Sequence, residues 1–498
     1  MRMWLILGLL AWHLSLVPAA SADDQIQILE ERVKKLEQRL KEQDHREQEG
    51  LPLGVERPEM MKPHGPSAEP GLGPLPEVGR DQRTPQVGPL SFGTTGSGRL
   101  IYAKPFVSSP KAIVGGYMDF FYTMTQKGPV TPQGSINNGA VGNPGLGQLS
   151  NSFDQQRFVP FIYADISEHL KMAAEVEFEH GIRETSEHEL EVGVEFATLD
   201  YLIHERINFR GGIILLPVGK FNLLHDSPLN DLGPRPLMST FVIPTTMSET
   251  GAGFYGTFYP GRTSKLDYEL YLTTGSNGYE ADGTPLITEL AGLSGTRQRA
   301  SSASDGLANH NGKTVVGRLA YSPMLGIEIA GSGYHGSYGP QGDRKLSIMT
   351  VDWTLQRGPF ELIGEAAWTY AQGNSKLLGG TPNIDPVTGR LAPQRSAGYY
   401  IQGNYHFMPP LFRNFSKKHF GEGSTFTAVV RYDRVNTNLD HPGGLGDLET
   451  LTLGLNFRPL EDAVFRLAYQ FNMRATNAYT RMPIAGDNAL ILSMATYF

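Results

Sequence analysis

Between Leu170 and Phe178 the chain alternates strictly, with Leu170, Met172, Ala174, Val176 and Phe178 interleaved with Lys171, Ala173, Glu175 and Glu177. Successive side chains of a β-strand point to opposite faces, so this run makes a strand with one apolar and one charged side. The next run repeats it, with Leu190, Val192, Val194 and Phe196 against Glu189, Glu191, Gly193 and Glu195. A soluble sandwich needs a second layer of apolar strands to cover such a face, and few segments here offer one. A closed barrel in lipid needs no second layer: the apolar face meets hydrocarbon and the polar face lines a lumen.

From about Ser91 onward the pattern predicts strands near 112–124, 157–166, 169–180, 188–202, 205–217, 245–259, 264–275, 313–322, 325–337, 345–356, 360–371, 397–408, 424–435, 449–459, 462–472 and 488–498. That is sixteen, an even count, as a bacterial single-chain barrel requires. Tight connections at Ser167-Glu168, His204-Glu205, Pro260-Gly261-Arg262, Ser322-Pro323, Arg357-Gly358-Pro359 and Pro459-Leu460-Glu461 alternate with long ones. The exception is the basic segment from Met408 to Ser424, longer than the short turn due there and without an account in this reading. No run of about eighteen apolar residues follows the N-terminus, so no helical membrane span is expected. The sequence contains no cysteine, which excludes disulfides and thiolate chemistry.

The N-terminal part divides by composition. Residues 1–22 combine a basic start at Arg2, an apolar run from Leu5 to Val17 and the small residues Ala20-Ser21-Ala22, the pattern of an export signal cleaved after Ala22. The competing reading is an uncleaved anchor, for which the apolar run is short. Residues 23–49 place Ile26, Leu29, Val33, Leu36 and Leu40 at heptad spacing, which predicts a coiled coil. Arg32-Val33-Lys34-Lys35-Leu36-Glu37 resembles a trimer-specifying pattern, whereas β-branched a positions with Leu at d favour dimers, and a lone solvated helix stays open. Residues 50–90 are rich in proline and nearly free of aromatic residues, so they form an extended linker rather than a core or a globular plug.

Two resemblances follow from these residues. The last run, Asn488 to Phe498, is an amphipathic strand ending in an aromatic residue and resembles the C-terminal assembly signal of bacterial outer-membrane barrels. The whole of 91–498 resembles a trimeric outer-membrane porin, and Gly211-Gly212-Ile213-Ile214-Leu215-Leu216-Pro217-Val218-Gly219 resembles the phosphate-selective porin O and P group. The resemblance implies a homotrimer in the outer membrane, its coiled coil in the periplasm, and passive passage of small hydrophilic solutes or ions. It also implies that the third long loop, about 218–244 with Lys220, His225, Asp226, Asp231 and Arg235, folds inward as a constriction. The group's ladder of lumenal arginines is not matched, so phosphate specificity is not carried over.

The expected fold is thus an all-β, sixteen-stranded antiparallel transmembrane barrel with an N-terminal coiled-coil helix. Acidic residues on the expected lumen face outnumber basic ones by roughly two to one, and carboxylate rings favour cations. The candidate selectivity residues are Glu175, Glu177, Glu179, Glu189, Glu191 and Glu195 with Arg431 and Arg466. The expectation is a mild cation preference, against a reading in which these carboxylates only pair with arginines and solvate the wall. Gly251-Ala-Gly253-Phe-Tyr-Gly256 and Gly331-Ser-Gly333-Tyr-His-Gly336 match a dinucleotide fingerprint, but both lie on expected strands with no helix following. Glu179, His180, Glu184, Glu187 and His188 sit together at the second long loop and are read as solvated rather than as a metal site. No enzyme activity, cofactor, metal or nucleic-acid partner is therefore expected. Two other roles stay open: a structural barrel that tethers the outer membrane, and a sheath for a periplasmic electron-transfer partner.

Overall fold

The computed structural model describes residues 111–125, 150–179, 191–279, 285–297, 312–476, 483–484 and 488–498, with breaks at 340–341, 343, 378, 386–387, 422, 442–443 and 445. The expected signal, coiled coil and linker lie outside the described residues, as do Glu189 and the 180–188 cluster.

The strands are β1 (Lys111–Thr125), β2 (Ser150–Asp165), β3 (Leu170–Glu179), β4 (Glu191–His204), β5 (Ile207–Leu215), β6 (Ser248–Phe258), β7 (Lys265–Thr273) and β8 (Thr314–Met324). They continue with β9 (Ile327–Ser337), β10 (Lys345–Arg357), β11 (Phe360–Ala371), β12 (Arg395–Phe407), β13 (Thr425–Asn436), β14 (Asp447–Leu460), β15 (Ala463–Thr476), β16 (Pro483–Ile484) and β17 (Ala489–Tyr497). Each long strand pairs antiparallel with the next, and β1 pairs with β17, which closes a wall of sixteen strands. The two-residue β16 only extends β15 at the loop end.

The seam between first and last strands is tight. Phe498 N–H donates to Gly116 O at 2.9 Å and Phe498 O accepts from Gly116 N–H at 3.2 Å, while the Phe498 ring stacks on Phe158 with centroids 5.6 Å apart. A Cβ at Gly116 would lie 2.3 Å from Val159 O and 2.8 Å from the Phe498 ring, so only glycine admits this approach.

Polarity across the wall is the reverse of a soluble protein. Arg466 is buried while its neighbours Phe465 and Leu467 are 46 % and 43 % exposed, and buried Arg431 sits beside Val430 at 51 %. Ile113, Leu199, Leu272, Val315, Leu319, Ile329 and Met349 are exposed likewise, whereas Asp119, Arg157, Arg318, Asp352 and Asp433 are buried. Period-two alternation on a closed sheet produces this: one face has nowhere to go but outward and the other nowhere but the lumen.

The segment between β12 and β13, left without account by the sequence, contains the short helix Pro410–Phe415. Phe412 lies 5.2 Å from Phe426 and 5.1 Å from Phe420, and Phe426 lies 4.8 Å from Phe457, so the segment is fastened to the wall by aromatic packing. Leu411 and Phe415 stay exposed beside Lys417 and Lys418.

Candidate functional site: a loop folded into the lumen

The connection from Leu216 to Met247 turns inward instead of standing on the rim. It carries helix α1 (Lys220–Leu223), a 3-10 turn (Ser227–Leu229) and helix α2 (Met238–Phe241). Its apolar residues Val218, Leu237, Met238, Phe241, Val242, Ile243 and Met247 are buried in one cluster with Tyr271, Val316, Tyr334, Leu346, Ile348 and Tyr400 of the wall. A loop with this many apolar residues finds no place on a polar rim, and it covers the lumenal tyrosines and aliphatics instead. Asn222 clamps the base: its Nδ2 donates to Leu216 O at 2.8 Å and Met247 O at 3.1 Å, and its Oδ1 accepts from Met247 N–H at 2.8 Å.

One flank of the loop is held by arginines. Arg466 donates to Ser227 O at 2.8 Å, Asn230 O at 3.0 Å, Ser227 Oγ at 2.8 Å and Ser493 Oγ at 2.9 Å. Arg431 donates to Pro234 O at 2.9 Å and Arg235 O at 3.2 Å, and its Nε reaches Asp433 Oδ2 at 2.8 Å. Asp433 Oδ1 in turn accepts from Leu237 N–H at 3.0 Å. Asp231 gathers Arg458 at 3.2 Å, Asn404 Nδ2 at 2.9 Å and Asn456 Nδ2 at 3.1 Å. Charged donors meet the loop's carbonyls, the pairing expected to hold irregular backbone away from water.

The other flank is held by carboxylates. Glu365 Oε2 accepts from Phe221 N–H at 3.1 Å, Lys220 Nζ donates to Glu328 at 3.1 Å and Thr354 at 2.6 Å, and His225 Nε2 lies 2.8 Å from Glu195 Oε2. Gly219 enters α1 at φ 80°, and a Cβ there would sit 1.7 Å from Glu365 Oε1. Only glycine permits both the left-handed backbone and the close approach. Asp226 sits between the flanks, its Oδ2 accepting from Tyr497 Oη at 2.9 Å, and burial raises its carboxyl above the ordinary aspartate range.

The sequence's candidates therefore fall into distinct places. Glu175, Glu177 and Glu195 lie buried on β3 and β4, Glu179 is half-buried near the end of β3, and Glu191 opens β4. Lys220, His225, Asp226, Asp231 and Arg235 all lie on the inward loop, where Arg235 donates to Thr245 O at 2.9 Å. Asn222, Thr246 and Asn404 were not singled out from sequence, because a lone loop asparagine or threonine carries no periodic signal. Between the loop and the wall of β5 to β9 lies a cavity of about 350 Å³ lined by Arg210, Lys220, Tyr255, Asp267, Glu269 and Glu328 among others.

No family model matches the chain. It is 24 % identical over 372 residues to an uncharacterized protein of Aquifex aeolicus, covering 72 % of this chain and 79 % of that one. Among solved structures, OmpF of Salmonella typhi in complex with daunomycin is similar with a TM-score of 0.47 at 13 % identity, covering 78 % of this chain and 98 % of that chain. The DcaP channel of Acinetobacter baumannii gives 0.46 at 12 %, covering 78 % and 97 %, and an anion-selective porin of Comamonas acidovorans gives 0.45 at 10 %, covering 78 % and 100 %.

Proposed function

We propose that this protein is a passive, porin-like channel of the bacterial outer membrane, admitting small hydrophilic solutes or ions past the inward loop. The observation that carries this is the inverted barrel: an outer face of exposed aliphatic and aromatic side chains around a charged interior. A sixteen-stranded barrel is wide enough to leave an aqueous path after one loop has entered it. Size exclusion is set by the loop, and charge sorting by groups with access to the remaining space. The charged groups lining the cavity are Asp267, Glu269 and Glu328 with Arg210, Lys220 and Arg318. Arg318 is engaged by the buried Asp352 at 2.5 Å, which leaves three carboxylates against two cations and favours a mild cation preference. The same proposal includes export by residues 1–22, trimer assembly aided by a periplasmic coiled coil at 23–49, and a spacer at 50–90. Kinship with the phosphate-selective group belongs to it only as the origin of the fold.

Recording in planar lipid bilayers tests the proposal. Discrete conductance steps are expected, with a zero-current potential in a salt gradient of the sign for cations, and replacing Asp267, Glu269 and Glu328 by their amides should move that potential toward anions. Folded protein that inserts without conducting removes the channel reading, and an unmoved potential removes the assignment of the filter.

A further inference from the structure

The acidic flank contains a buried group of titratable side chains in which one carboxylate oxygen, Oε1 of Glu175, has no hydrogen-bond partner among the described residues. His225 presents Nδ1 to Asn222 O at 3.0 Å and Nε2 to Glu195 Oε2 at 2.8 Å. A carbonyl can only accept, so Nδ1 carries a proton, and Nε2 meets the carboxylate either through a second proton, as an imidazolium, or through a bound cation. The other oxygen of Glu195 accepts from Thr246 Oγ1 at 2.9 Å. Glu175 stands against the same pair: one donor atom from each of Glu175, Glu195 and His225 lies within 4.8 Å of the others. All three are buried, Glu175 at 2 % exposure, and Glu175 Oε1 has no hydrogen-bond partner among the described residues.

The backbone adds a second indication. Glu175 pairs with Phe196 while Val176 pairs with Val194, so Glu195 is the extra residue of a β-bulge. Bulges re-aim side chains, and this one brings a second carboxylate beside the first at the point where the loop delivers its histidine. Two carboxylates so close and so deeply buried repel unless a proton or a cation joins them, and the histidine beside them makes the cation the chemistry to test.

We propose that Glu175, Glu195 and His225 bind one divalent transition-metal ion of the zinc class, fastening the inward loop to β3 and β4. One imidazole with carboxylates suits zinc, manganese or cobalt better than calcium or magnesium, which take oxygen donors alone. Ligand distances of about 2.0–2.2 Å place tetrahedral donors about 3.4 Å apart. That spacing falls between the 2.8 Å of the histidine and Glu195 and the 4.8 Å limit of the set, so modest side-chain movement closes it. The Asn222 carbonyl supplies the outer hydrogen bond that orients a metal-binding imidazole. Asp226 Oδ1, 4.0 Å from Nε2, is placed to complete the set or to hold a bound water.

The test uses the full chain, purified in detergent, stripped with chelator and titrated with zinc by calorimetry and with cobalt by visible absorption. One equivalent per chain is expected, with tetrahedral cobalt bands, and Glu175→Gln or His225→Gln should weaken binding on the order of 100-fold. Glu175→Gln keeps the volume, and heat-dependent gel migration verifies that each variant is a folded barrel. Absence of saturable binding, or binding unchanged in both variants, overturns the site. The effect on the channel rests on the function proposed above: zinc should slow protease cleavage within 216–247 and steady the conductance. Stoichiometric zinc on a barrel that does not conduct would sink the channel while leaving the site intact.

Discussion

The two flanks of the inward loop do the same mechanical task with opposite chemistry. On the β12 to β15 side, guanidinium groups donate to loop carbonyls, and Arg466 and Arg431 together reach Ser227, Asn230, Pro234 and Arg235. On the β3 to β4 side, carboxylates face the loop and acceptors outnumber donors around His225. Exposed backbone is richer in strong acceptors than in spare donors, so arginine satisfies a loop by itself, whereas a carboxylate cluster needs a proton or a cation from outside. Every guanidinium nitrogen of Arg431 and Arg466 is thus engaged as folded, whereas the acidic flank is a place where something can be bound.

Four substitutions sharpen this contrast. The largest effect is expected from Arg466→Met, which leaves the Ser227 and Asn230 carbonyls without their buried donor. A loss of about 3–5 kcal/mol in loop anchoring is expected, read as rapid cleavage within 216–247 and a lower temperature for the gel-mobility transition. An uncleaved variant of parental stability would show that apolar packing alone holds the loop.

Asp231→Asn comes next. It keeps an acceptor for Asn404 and Asn456 but weakens the pair with Arg458, whose two side chains are 18 % and 11 % exposed. About 1–2 kcal/mol is expected, visible in the same transition, and a fall as large as that of Arg466→Met would mean that the aspartate rather than the arginines organises this flank.

Glu175→Gln tests the sign of the contrast. In chelated protein it replaces a buried carboxyl whose Oε1 has no partner among the described residues, so stability should stay level or rise by up to about 1 kcal/mol, while zinc no longer stabilises. A clear fall without metal would show that the carboxylate is already satisfied.

The smallest effect belongs to the rim. Arg395 and Asp440 are 2.6 Å apart but 58 % and 30 % exposed, so Arg395→Ala should change stability by less than about 1 kcal/mol, as equilibrium heating in detergent can measure.

Much of this architecture is legible in the residues themselves. All sixteen long strands appear where alternation places them, with ends displaced by up to four residues in either direction, except that β2 begins at Ser150 rather than 157 because its ladder with β1 continues past the patterned side chains. Alternation is a local property enforced at every step by the pleat, which is why it survives in sequence. The turn at 408–424 was not legible, because its anchoring uses Phe412 and Phe420 against Phe426 and Phe457, contacts across three chain segments.

The candidate site was readable only in outline. The inward loop and its charged residues followed from a resemblance and from composition, but whether a wall carboxylate meets water, an arginine or the loop depends on what covers it. Glu175 and Glu177 read alike in the alternating strand, and nothing in the sequence distinguishes them from Glu179. In the folded barrel the first two are buried and the third keeps solvent access. The bulge at Glu195 shows the same limit: one extra residue in the ladder is invisible to a period-two count, yet it brings that carboxylate to His225. The sequence by itself determined a closed, inverted sheet, because side-chain alternation and the need to pair every backbone group leave no other arrangement in lipid. Only the tertiary structure decided which charges face each other, because those partners lie as far apart as residues 195 and 225 or 227 and 466 and meet only once the loop has folded across the lumen.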